Sequence, residues 1–215
     1  MNRHSESSDA VPKLRDRIRE ATLEAIFQAA ERVFADEGPT AARMETVAAQ
    51  AGVSVGTLYN YVEDKQSLIN ALLSARRGDL LEQLDAVLKE ESGQPFRHQL
   101  HSFFALLLEY FERHKNFLAL CMQLEHSKGE KRLTVPQWQA TTMGEVFMRC
   151  ERLVKIGLKE KALRPPLADL LPIFLMGITR STLAAQMIRD SDSAHPIPRP
   201  KVEQMVQFFL SGAGT

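Results

Sequence analysis

The stretch AGVSVGTLYNYVEDK, Ala51 to Lys65, decides how this chain is read. It places two glycines, a serine, two tyrosines and an asparagine in a short segment whose one basic residue is Lys65. Just upstream, Met44, Val47, Ala48 and Ala51 recur at helical spacing on one face. Gly52 ends that run, as expected of a residue that enters φ > 0 at little cost. Ser54 has the chemistry of an N-cap for a further short helix through about Tyr61. Two short helices joined by a tight glycine turn make a helix-turn-helix, a unit that places its second helix in a DNA major groove.

The residue types suit both sides of such a unit. Val47, Ala48, Val53, Leu58 and Val62 are expected to face inward and hold the helices together, while small residues such as Ala48, Ala51 and Gly52 permit a close approach. Val55, Gly56, Thr57, Tyr59, Asn60 and Tyr61 are expected to face outward. Hydroxyls and amides suit phosphate oxygens and base edges.

VAAQAGVSVGTLYNYVEDKQSL, Val47 to Leu68, resembles the DNA-binding signature of the TetR/AcrR family of bacterial transcriptional regulators. The pattern is matched at Val47, Ala48, Ala51, Gly52, Val53, Ser54, Gly56, Thr57, Leu58, Tyr59, Tyr61, Val62, Lys65 and Leu68. Val47 and Val62 stand where the family has Ile and Phe, both conservative core changes. Ala30, Phe34 and Gly38 fit the family's preceding helix, so the resemblance covers roughly residues 18 to 75. It implies that Ser54, Val55, Gly56 and Thr57 open the recognition helix. Thr57 and Val55 are then base-edge candidates, Val55 through a thymine methyl. It implies phosphate contacts for Tyr59, Tyr61, Lys65 and Arg43, and leaves Asn60 either reading a base or touching the backbone. Tyr59 could instead chiefly pack the small domain.

Charge points neither way. Residues 1 to 65 hold eight Lys/Arg and eleven Asp/Glu, a net of −3, so the basic footprint usual in a DNA binder is absent. Glu20, Glu24 and Glu31 are expected on the solvent face of the first helix, and the arm carries Lys13, Arg15, Arg17 and Arg19 close together, to reach phosphates or the minor groove or else to form a solvated helix start. Few Lys/Arg–phosphate contacts are therefore expected, with a shallow salt dependence.

The remaining sequence is also helical in pattern. Leu23, Ile26, Phe27, Ala30, Val33 and Phe34 outline a first helix ended by Gly38-Pro39. Asp64 has the position of an N-cap for a long helix from Lys65 to about Glu91. Further candidates run Pro95–Arg113, Lys115–Lys128, Pro136–Lys161, Leu167–Arg189 and Lys201–Ser211. No stretch alternates as a strand would. The expected fold is all-α with about nine helices: an arm over 1–14, a DNA-binding domain over 15–75 with the helix-turn-helix at about 43–62, and a helical ligand and dimerisation domain over 76–215.

Such modules usually act as two-fold dimers on palindromic DNA. Met176, Gly177, Leu183, Ala184 and Met187, with Met205, Phe208 and Phe209 of the last helix, are the dimer candidates. Phe103, Leu107, Phe117, Cys121, Met122, Glu125, Trp138, Met143, Phe147 and Phe174 are candidates to line a pocket for a small hydrophobic or aromatic ligand, though such a stripe also describes plain core. Gly78 is a candidate flex point in the long helix.

Enzyme motifs are lacking. The sequence has no P-loop, GxSxG or GxGxxG. His98 and His101 share a helix face but have no third ligand at metal spacing. Cys121 and Cys150 form no CxxC and suit free thiols in a reducing cytoplasm. No catalysis, cofactor, metal or membrane partner is expected, the longest apolar run being too short to span a bilayer. Three functions fit: a ligand-released repressor, a DNA-binding regulator whose C-terminal part docks a protein, or an all-α carrier or enzyme with an incidental helix-turn-helix.

Overall fold

Three glycine- and cap-marked breaks divide the N-terminal sequence into helices in the computed structural model, which describes residues 14–127, 141–191 and 201–214. Among the described residues the chain forms nine α-helices: α1 (Leu14–Glu37), α2 (Met44–Ala51), α3 (Val55–Tyr59), α4 (Lys65–Glu90), α5 (Phe96–Arg113), α6 (Lys115–Ser127), α7 (Thr142–Lys159), α8 (Leu171–Ser191) and α9 (Val202–Ala213). A 3₁₀ turn, Pro165–Leu167, lies between α7 and α8. The chain divides into two compact units, Met1–Leu72 and Leu73–Thr215, with the division inside α4. Expectations on residues 1–13 and Trp138, and on the side chains of Met122, Glu125 and Met187, lie outside the described residues.

In the first unit α1 buries Ile26, Phe27, Ala29, Ala30, Val33 and Phe34. Met44, Val47 and Ala48 of α2 are buried with Leu58, Val62, Leu68, Ile69 and Leu72. Each large apolar side chain so buried contributes about 1.5–3 kcal/mol. Gly38 ends α1 at φ +80°, its N–H returning to the Phe34 carbonyl at 3.1 Å. Two expectations change here. Arg15, Arg17 and Arg19 belong to the exposed first turns of α1, not to an arm, because the helix already opens at Leu14. Glu31 is buried rather than on the solvent face, since it falls on the same stripe as Phe27 and Phe34.

The second unit has one apolar core. Phe96, Leu100, Phe103, Phe104, Leu107, Tyr110 and Phe111 of α5 meet Leu80, Leu84 and Leu88 of α4, Phe117 of α6, Cys150 and Leu153 of α7, Leu175 of α8 and Val206 of α9. At Gly157 a Cβ would stand 2.6 Å from Leu163 Cδ1 and 2.9 Å from Phe96 Cε2, so α5 passes α7 closely enough that a side chain there would force Leu163 and Phe96 to shift. Arg149 of α7 bonds Asp85 of α4 at 2.5 Å and Glu145 at 3.0 Å, and Arg152 adds a bond to Asp85 at 3.1 Å. The C-terminal segment is stitched to the α7–α8 loop by Arg164 N–H to the Ala213 carbonyl and Arg164 Nε to the Gly214 carbonyl.

The dimer and pocket candidates redistribute on these helices. Leu183, Met205 and Phe209 are buried in the unit's own core, which removes them from any free surface. Phe174, a pocket candidate, lies on the surface of the unit and not in its core: it is 52% exposed beside Ile173 at 55%. The reason is angular. Leu171 and Leu175 take the inward face of α8, which turns Leu170, Ile173, Phe174 and Gly177 outward. Phe208 of α9 is exposed, as a surface role requires, while Met176 and Ala184 are half-buried.

Candidate nucleic-acid interface

Gly52 sets the turn between α2 and α3. It closes α2 at φ 71°, ψ 25°, with its N–H directed at the Ala48 and Ala49 carbonyls. Only a residue without a Cβ penalty adopts that conformation routinely. Two residues on, Ser54 caps α3: its Oγ accepts the Thr57 N–H at 3.0 Å and lies 2.8 Å from Thr57 Oγ1. The cap lets a helix of five residues start sharply, satisfying one of the N–H groups a helix leaves open. Leu58, fully buried, anchors α3 from beneath.

The outward residues then follow from helical geometry. Gly56 is exposed, and the space a Cβ would occupy is open, with Ser54 Oγ the nearest atom at 3.9 Å. Val55 and Thr57 are half-buried, Tyr59 is 46% exposed and Asn60 is exposed. The helix stops at Tyr59, two residues short of the expected Tyr61. Asn60 N–H forks to the Gly56 and Thr57 carbonyls, and the chain turns to bury Val62. Tyr61 is half-buried, and the Arg19 guanidinium lies over its ring, 6.0 Å from the centroid. That pairing has no local sequence signal, because α1 and the turn after α3 are far apart along the chain.

The flanking cations differ from each other. Arg43 is exposed at the N-cap of α2 and makes no side-chain cap bond. Lys65, the one cation of the diagnostic stretch, is occupied within the fold: its Nζ donates to the Thr40 carbonyl at 2.6 Å and the Ala42 carbonyl at 3.1 Å. Asp64 caps α4 as expected, accepting the Ser67 N–H at 2.7 Å. That bond holds its carboxyl below the ordinary value.

Of the pocket candidates, Phe103, Leu107 and Phe117 are fully buried, and Cys121, Met143 and Phe147 are half-buried. Phe111 and Phe117 stack at 6.1 Å. Tyr110 Oη donates to the Arg76 carbonyl at 2.7 Å, and its ring lies 4.6 Å from that of His114. Gln99 Oε1 is buried with no hydrogen-bond partner among the described residues. Among those residues no helix is long and apolar enough to cross a membrane.

Comparison with known proteins bears on the helix-turn-helix first. Residues 26–72 match the family model described as bacterial regulatory proteins, tetR family. The chain is 31% identical over 67 residues to the fatty acid metabolism regulator protein of Bacillus subtilis (strain 168), covering 31% of this chain and 34% of that one. It thus spans about a third of the length of that relative. It is 24% identical over 194 residues to the uncharacterized HTH-type transcriptional regulator YhgD of the same organism, covering 86% of this chain and 92% of that protein. Among solved structures, the transcriptional regulator FadR from Bacillus subtilis in complex with stearoyl-CoA superposes with a TM-score of 0.68 at 17% identity. The match covers 88% of this chain and 98% of that one. At that identity the likeness speaks for the fold.

Proposed function

We propose that this chain, whose residues 26–72 match the family model of bacterial regulatory proteins, tetR family, is a DNA-binding transcriptional regulator, a repressor released from a palindromic operator by a small apolar ligand. The observation that carries this is α3: a serine-capped short helix, fixed beneath by Leu58, with Gly56, Tyr59 and Asn60 open to solvent. In this account Val55 and Thr57 meet base edges, Gly56 admits the DNA backbone, and Ser54, Tyr59, Tyr61 and Arg43 meet phosphates. Asn60 stands at the edge of the groove, where it reads a base or a phosphate.

One short helix reads few bases, so two copies are needed. Ile173, Phe174, Gly177 and Phe208 supply an exposed apolar face on α8 and α9 for a homodimer. The relative in complex with stearoyl-CoA supports an apolar ligand, and the aromatic core around Phe103, Leu107 and Phe117 suits one. Release follows if the ligand prefers a dimer whose recognition helices no longer match two successive major grooves.

The test is a gel shift with DNA flanking the gene, repeated with acyl-CoA esters of graded chain length and with free aromatic compounds. A specific shift abolished by one ligand class is expected. No shift in low salt contradicts the regulator; a shift that no ligand class relieves contradicts ligand release.

A further inference from the structure

The buried stripe of α1 runs on past the end of the core. Ile26 and Ala30 are fully buried, Leu23 is half-buried, and helical spacing continues the same face through Arg19 to Arg15. Both arginines are exposed and stand four residues apart, a spacing at which like charges oppose a helix. Arg15 also falls in the first turn, where the helix dipole disfavours a cation. Neither placement helps α1 itself. Arg19 is nonetheless held: its guanidinium lies over the Tyr61 ring, 6.0 Å from the centroid. Tyr61 in turn follows directly on α3, its N–H bonded to the Leu58 carbonyl at 3.0 Å and buried Val62 next to it. A ring engages only the face of a guanidinium, whose five N–H donors lie in its plane. Among the described residues none of those donors is spent on a hydrogen bond or an ion pair, and Asp16 and Glu20, in the same turns, do not pair with it.

We propose that Arg19 is a DNA-backbone contact of this helix-turn-helix: the Tyr61 ring holds its guanidinium in place, and the guanidinium and the Tyr61 hydroxyl take one phosphate between them. α1 thereby lends the recognition segment a cation from far upstream in the chain. Tyr61 acts twice, its ring as the anchor and its hydroxyl as a donor. A guanidinium already settled on a ring loses little freedom on meeting a phosphate, and its fork matches two phosphate oxygens. The proposal rests on the DNA-binding reading above, and its test separates the two.

Full-length wild type, Arg19→Ala, Tyr61→Phe, Tyr61→Leu and the two double variants with Arg19→Ala are compared for affinity as a function of salt. Two duplexes serve, the DNA flanking the gene and one of unrelated sequence. Arg19→Ala is expected to bind both about tenfold more weakly and to lower the salt slope by about 1.8, one phosphate per protomer of a dimer. Its urea midpoint is expected to match that of wild type. In the Tyr61→Phe background, which keeps the ring, Arg19→Ala lowers the slope as it does in wild type. In the Tyr61→Leu background, which removes the ring, it costs less than about a further twofold, because the two residues act through one contact. A slope that Arg19→Ala leaves unchanged overturns the proposal. So does an equal effect of Arg19→Ala in the Phe and Leu backgrounds, since the ring would then anchor nothing. If wild type binds neither duplex, the regulator reading fails, and NMR of the free protein still decides the anchor. Upfield ring-current shifts of the Arg19 side-chain protons are expected in wild type and Tyr61→Phe and absent from Tyr61→Leu; unshifted protons in wild type overturn the anchor.

Discussion

Among the described residues, the fold moves the ionisation of Asp64 and Cys150 in opposite senses. The Ser67 N–H bonded to Asp64 favours its charged form, so the folded state holds this carboxyl below its ordinary value of 3.8. The unfolded chain binds that proton more readily. The stability Asp64 adds is thus present above its unfolded value and lost as pH falls through the lower folded one. Urea midpoints measured down an acid series should converge for wild type and Asp64→Ala; curves that stay parallel would contradict the cap. Burial does the reverse to Cys150, pushing its thiol up to about 12. The thiolate is the reactive species. In native protein at pH 8, Cys150 is expected to resist a thiol reagent and to react only on unfolding; labelling of Cys150 in the native state would contradict its burial. Ser54 and Asp64 were legible as caps because a cap is local, its partner three residues on. The two bonds of Lys65 were not: the Thr40 and Ala42 carbonyls lie 25 and 23 residues away, and a backbone carbonyl carries no sequence mark.

At the scale of the helix, pattern gave existence and type better than facing. α8 shows why. Its apolar residues nearly encircle it, so the sequence could not say that Leu171, Leu175 and Leu183 point inward while Ile173 and Phe174 point out. α9 has the same ambiguity, resolved with Met205 and Phe209 inward and Phe208 outward. Two glycines on long helices make a contrast the sequence also hides. Gly78 of α4 has open space where a Cβ would stand; Gly157 of α7 has Leu163 and Phe96 within 2.9 Å. Gly78→Ala should stabilise by about 0.5–1 kcal/mol through helix propensity. Gly157→Ala should destabilise by about 1–3 kcal/mol through overpacking. Urea denaturation of both variants checks the pair, and equal midpoints would contradict the close passage of α5 and α7.

For the whole molecule the governing facts are a helix-turn-helix domain with little positive charge and an exposed apolar face on the second unit. If that face joins two protomers, charging it with Ile173→Asp and Phe174→Asp should yield monomers by sedimentation and weaken operator binding at least tenfold, since a single half-site remains. Dimers that persist would move the interface elsewhere. The low cation count predicts a shallow salt dependence, and a slope implying about eight or more released counterions per dimer would contradict it. The helix-turn-helix was legible at once because its fixed positions are dense and local, from Val47 to Leu68. The second unit was legible only as helical, since its pocket candidates Phe103, Leu107 and Phe117 lie in its apolar core. The central claim, sequence-specific DNA binding through α3, is tested most directly by selecting binding sites from a random DNA pool with purified wild type, Tyr59→Ala and Asn60→Ala. A two-fold symmetric site enriched by wild type, and weakened or altered in both variants, is the predicted result; no enriched site, or one bound equally by all three proteins, would contradict it.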